Sequence, residues 1–77
     1  MIVNFVIGGQ PHNRGLSGHE NLGDVCAAVG VDMGHFKWVE WEARLLDGRM
    51  LDSTQEVAMQ VSHNESVYLQ PRAGVGG

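Results

Sequence analysis

Only one stretch of this chain repeats its apolar residues at the period of a helix, and that limits what the rest can do. In "ENLGDVCAAVG", Leu22, Val25, Cys26 and Val29 fall at i, i+3, i+4 and i+7, a single apolar stripe. Asn21 stands where a side-chain oxygen can cap the first-turn amides, and Gly30 is placed to end the helix in a left-handed conformation. Gly23 weakens the helix by about 1 kcal/mol relative to alanine. So short a helix cannot bury its stripe alone. With 77 residues there is room for one small core, and the partner has to be a sheet.

The strands are read from alternation. In "MIVNFVIGG", Val3, Phe5 and Ile7 share one face and Asn4 the other, before Gly8, Gly9 and Pro11 break the run. Residues 12–18 offer a short, polar hairpin partner with Leu16 as its one inward side chain. Residues 37–46, "KWVEWEARLL", form a strong strand with Val39, Trp41, Ala43 and Leu45 on one face and Trp38, Glu40, Glu42 and Arg44 on the other. Asp47-Gly48 is a tight-turn signal, and Arg49 to Leu51 would return from it. Residues 52–62 make an irregular connection that carries Val57, Met59 and Val61 inward. "ESVYLQ" is the last strand, with Val67 and Leu69 inward and Tyr68 and Gln70 outward, and Pro71, lacking an amide hydrogen, ends it. One helix over a mixed sheet of four to five strands is the β-grasp arrangement, an α+β fold.

Composition narrows the partners. Five basic against nine acidic residues give a net charge of -4, unlike the clustered basic footprint of nucleic-acid binders. No apolar run near the start is long enough for a membrane span or a signal peptide, and one cysteine cannot form an internal disulfide. The expectation is a cytoplasmic chain bound to neither membrane nor nucleic acid. Cys26 lies on the helix's apolar stripe, where a thiol behaves as a small hydrophobe rather than a nucleophile. His12, His19, His35 and His63 are scattered without the paired spacing of a zinc site, and Glu40 and Glu42 fit a solvated strand face better than a catalytic pair. Neither a catalytic residue nor a cofactor of the chain's own is expected.

Over most of its length the chain resembles ubiquitin-like proteins. The spacing from the first strand to Asn21-Leu22, the hairpin "LLDGRML", the approach "HNESVYL" to the last strand and the Gly76-Gly77 pair carry the resemblance. It is most similar to the prokaryotic ubiquitin-like modifiers found with E1-like, E2-like and JAB-type or other peptidase partners in bacteria. The resemblance implies a domain over 1–71 and a conjugation tail over 72–77. Gly77 would be adenylated by an E1-like activating enzyme that holds the ATP, passed to an E2-like conjugating enzyme, and joined by an isopeptide bond to target proteins. Physics supports that role for the residues: a carboxylate threaded to a nucleotide in another protein needs an extended arm with no side chain beside the reacting carbon. Arg72, Ala73, Gly74, Val75, Gly76 and Gly77 would reach about 20 Å when extended.

Departures from the family bear on its partners. Ala73 and Val75 stand where ubiquitin's tail is basic, which implies a dedicated activating enzyme. Arg49 replaces the family's hairpin lysine, and Lys37 is the chain's one lysine. By position Leu45 and Tyr68 resemble part of the family's apolar sheet patch, with Trp38 a further outward aromatic, whereas strict alternation puts Leu45 inside with Trp41. Two other roles share the fold: a sulfur carrier ending as a thiocarboxylate, and a binding module that is not conjugated.

Overall fold

The computed structural model describes residues 1–34 and 41–71. Its elements run β1 (Ile2–Ile7), β2 (Gln10–Gly15), α1 (Leu22–Asp32), β3 (Trp41–Arg44), a 3₁₀ turn (Val57–Met59) and β4 (Ser66–Pro71). The strands form one sheet in the order β2-β1-β4-β3. The first pair is antiparallel, β1 and β4 are parallel, and β3 and β4 are antiparallel. Parallel neighbours need a long crossover between them, and here α1 and the segments on either side of it supply one. The sheet is therefore mixed, four strands wide, with a single α-helix among the described residues.

Alternation sets the buried face. Val3, Phe5 and Ile7 of β1, Ala43 of β3 and Val67 and Leu69 of β4 all turn inward onto Leu22, Val25, Cys26 and Val29 of α1. Leu45, Leu51, Val57 and Val61 complete this core, with Met1, Leu16, Met33 and Trp41 packed at its margin. Leu16 is thus the partly buried residue expected of the second strand.

β2 begins earlier than its sequence implies and contains Pro11. The reason is its place at the sheet edge, where a missing amide disrupts no ladder. Met1 and Leu16 exchange two backbone bonds, of 2.6 and 2.7 Å. Counting by twos from that pair leaves Pro11, opposite Val6, with its nitrogen turned to the open edge. Gly8 and Gly9, at φ 56° and 80°, make the two-residue turn between the strands.

α1 starts where expected, with Asn21 Oδ1 accepting from the Asp24 amide at 3.2 Å. Its end differs. Gly30 lies inside the helix, which runs on to Asp32 because Met33 continues the bonding, its amide reaching the Val29 carbonyl at 3.0 Å. The left-handed residue is Gly34, at φ +87°.

Two further expectations change at the hairpin and the connection. After β3 the chain turns through Leu45 to Arg49, with Gly48 at φ +90°. The return is a single bridge, Arg44 to Met50, plus a 2.8 Å bond from the Leu51 amide to the Ala43 carbonyl, so no fifth strand forms among the described residues. In the connection, Val57 and Val61 are buried but Met59 is 72% exposed. The 3₁₀ turn explains it: the Val61 amide bonds the Val57 carbonyl at 2.9 Å, which stacks residues four apart and leaves the one between them facing out.

Candidate functional site

The two candidate regions are the end of β4, from which the tail departs, and the outer face of the sheet. Pro71 is the last residue of β4 and lies opposite Trp41 of β3. The tail residues Arg72, Ala73, Gly74, Val75, Gly76 and Gly77 lie outside the described residues, as does Trp38. Around the end of β4, Val6 to Gly9, Trp41 and Tyr68 to Pro71 border an open hollow of about 360 Å³. The glycine turn of the first hairpin, Trp41 and Tyr68 thus all border this hollow at the end of β4.

The sheet patch is not as the family alignment implies. Leu45 is 5% exposed, following the alternation with Ala43 and Trp41 and pointing into the core, so it offers nothing to a partner. Tyr68 is half-buried on the opposite face, where Arg44 lies beside it in register. That face carries a polar network. Glu42 Oε1 accepts from Arg44 Nε at 2.9 Å and from Gln70 Nε2 at 2.9 Å, while Arg44 Nη1 donates to the Gly48 carbonyl at 2.6 Å. Leu45 and Tyr68 therefore do not share a surface. Among the described residues, the exposed large apolar side chains that sequence reading missed are Ile2, Val31, Leu46, Met50 and Met59. The tight-turn signal at Asp47-Gly48 was the available hint for Leu46, because a residue in a turn has little sheet to cover it.

The titratable side chains are dispersed. Cys26 is buried on α1, and loss of solvent pushes its thiol up to about 12, which removes the thiolate that nucleophilic chemistry requires. His12 faces Arg14, His19 faces Glu56 and His63 meets the Ile2 amide. Among the described residues no three His, Cys, Asp or Glu side chains converge as metal ligands. Glu20 closes the loop ahead of α1: the Ser17 amide at 3.0 Å, its own amide, the Gly18 amide and the Ser17 hydroxyl hold its carboxyl down to about 2. The Thr54 hydroxyl, at 2.6 Å, and its amide, at 2.8 Å, lower Asp52 in the same way. These carboxylates fasten loops. No described helix is long and apolar enough to cross a membrane.

No protein-family model matches the chain, and no curated protein is similar to it. Solved structures are similar in shape. The ubiquitin of Caldiarchaeum subterraneum superposes with a TM-score of 0.77 at 22% identity, over 100% of this chain and 98% of its own. The chain has the ubiquitin-like β-grasp fold. An N-terminal ubiquitin-like domain in the 4931431F19Rik protein, solved in solution, gives a TM-score of 0.76 at 13% identity over 100% of this chain and 79% of that one. ATBAG1, crystallised in complex with HSP70, gives 0.78 at 15% identity over 95% of this chain. This chain spans only 41% of ATBAG1. The ubiquitin-like fold thus occurs both as nearly a whole chain and as one part of a longer one.

Proposed function

We propose that this protein is a ubiquitin-like modifier whose Gly77 carboxylate is joined to target proteins. The observation that carries the reading is its end-to-end similarity in fold to an archaeal ubiquitin, taken with where its sequence puts the glycines. β4 closes at Pro71, and six residues then lead to Gly77. An E1-like enzyme holding ATP adenylates that carboxylate, with Gly76 and Gly77 passing a narrow channel because neither has a side chain. Pyrophosphate leaves; an enzyme thiol then displaces AMP to form a thioester, and a target amine displaces that thiol to form the amide. The partners are an E1-like activating enzyme, an E2-like conjugating enzyme and a JAB-type or other deconjugating peptidase. Ala73 and Val75 leave Arg72 as the one basic side chain in the arm, so the activating enzyme is one that does not require basic residues at positions 73 and 75. The protein itself supplies no catalytic residue and binds no cofactor.

Incubation with ATP and a candidate E1-like enzyme from the same organism tests this. The expected mass is that of the protein plus AMP, or a thioester to the enzyme, at the Gly77 end. An unmodified protein under those conditions overturns the reading. With sulfide added as donor, displacement of AMP by sulfur to leave a thiocarboxylate, with no adduct to another protein, would instead make it a sulfur carrier.

A second reading has its own support. Two of the similar structures are ubiquitin-like parts of longer chains, and one of them, ATBAG1, was crystallised with HSP70. On that reading the fold is a non-covalent docking module, and deleting Gly76 and Gly77 leaves its binding unchanged.

A further inference from the structure

The four methionines of the chain fall into two pairs. Met1 and Met33 pack at the margin of the core, and Met1 Sδ lies over Gly18, 3.2 Å from where a Cβ would stand. Met50 and Met59 are 54% and 72% exposed. They come from different segments, the return of the hairpin and the 3₁₀ turn. Both nevertheless line one open hollow of about 230 Å³, together with Arg49, Leu51, Asp52 and Gln60.

The frame of this hollow does not depend on the two thioethers. Gln60 clasps the backbone of Asp52 from both sides: its Oε1 accepts from the Asp52 amide at 2.6 Å, and its Nε2 donates to the Asp52 carbonyl at 2.7 Å. Leu51 and Val57, beside the two methionines in sequence, are buried and anchor their segments. Arg49 Nη2 reaches the Gln60 carbonyl at a long 3.5 Å, and a guanidinium has five donors, so it has some to spare. A thioether is apolar and a weak acceptor, whereas a sulfoxide is polar.

We propose that Met50 and Met59 are a paired, reversible oxidation site: hydrogen peroxide converts both to sulfoxides and turns an apolar hollow polar while the fold stays intact. In each step a sulfur lone pair attacks one peroxide oxygen. The S–O bond forms, the O–O bond breaks and water leaves, so sulfur loses two electrons and peroxide gains them. Two thiols of a sulfoxide reductase system reverse the step, becoming a disulfide and releasing the oxygen as water. Arg49, on the same hollow, supplies a donor for the new oxygens. Oxygen on Met1 or Met33 would instead set a polar group against the core, and the Cys26 thiol is shielded by burial. The site operates whether or not Gly77 is conjugated.

Treatment of the intact protein with hydrogen peroxide, followed by peptide mass mapping, tests the site. In the native protein Met50 and Met59 should each gain one oxygen about fivefold faster than Met1 and Met33, and in denaturant all four should react alike. The thermal midpoint of the doubly oxidised protein should stay within about 3 °C of the untreated one. Its retention on a hydrophobic-interaction column should fall, and a methionine sulfoxide reductase with dithiothreitol should restore it. A variant carrying Met50→Leu and Met59→Leu, apolar but without sulfur at these positions, should keep its retention through peroxide. Equal rates at all four methionines in the native protein overturn the proposal, even if the variant fails to fold. So does a midpoint that drops with the first oxygens, or a loss of retention that persists in the leucine variant.

Discussion

Gly23 shows how a residue can oppose its own element and still be required there. In an exposed helix interior, replacing glycine by alanine gains about 1 kcal/mol. Here a Cβ would stand 2.9 Å from the Ser53 carbonyl oxygen, because the Gly23 amide bonds that oxygen at 2.9 Å and brings the 52–56 segment against the first turn of α1. Gly23→Ala is expected to destabilise by about 1–3 kcal/mol, the range for forcing atoms into filled space. A urea midpoint that falls bears this out, and one that rises contradicts it. From sequence the glycine reads as a cost; the contact that demands it lies some thirty positions away and leaves no local mark. Cys26 was legible, because its place on the stripe dictates burial. Its thiol should ignore a disulfide reagent in the native protein and react fully in denaturant, whereas fast native labelling would place it at the surface.

At the scale of elements, patterns survived where one face is buried and the other wet. β1, α1 and β4 meet that condition, and each reads correctly from its apolar spacing. β2 does not, since its edge position leaves "QPHNRG" polar on both faces and even admits a proline. The connection misled differently: Val57, Met59 and Val61 alternate in sequence, but a 3₁₀ turn puts the first and last on one side. Val57→Ala should therefore cost about 2 kcal/mol, while Met59→Ala should stay within about 0.5. Equal losses in thermal unfolding would restore the strand-like reading. The loop ahead of α1 gives a pH dependence. The Glu20 carboxyl is held at about 2 in the folded protein against 4.5 without its partners, and Asp52 is lowered as well. A depressed carboxylate contributes stability that is complete above its unfolded value and is lost as pH falls through the folded one. Stability should thus decline from about pH 4.5 towards pH 2, and Glu20→Gln should flatten that decline. An unchanged acid limb in the variant would mean the Ser17 and Gly18 bonds do not govern it.

For the whole molecule, the fold was legible because a lone helix leaves few ways to cover a mixed sheet. The candidate site was legible only in part. Family position would turn Leu45 outward, yet the strand's own alternation places it in the core, and the outer face is occupied by Arg44, Glu42 and Gln70 bonded to one another. Recognition through an apolar sheet patch is therefore weakened in this chain, and the tail carries more of the proposed role. The tail sequence also provides its own reporter. Trypsin cuts after Arg72, so a target lysine joined to Gly77 keeps the five residues Ala-Gly-Val-Gly-Gly on its ε-amine. Mass spectrometry of a tryptic digest, from cells holding this protein and its activating enzyme, measures that remnant directly. Conjugation predicts the remnant on lysines of other proteins and its disappearance when Gly76 and Gly77 are deleted. Finding Ala73 to Gly77 only as a free peptide, with no lysine carrying it, would contradict the account.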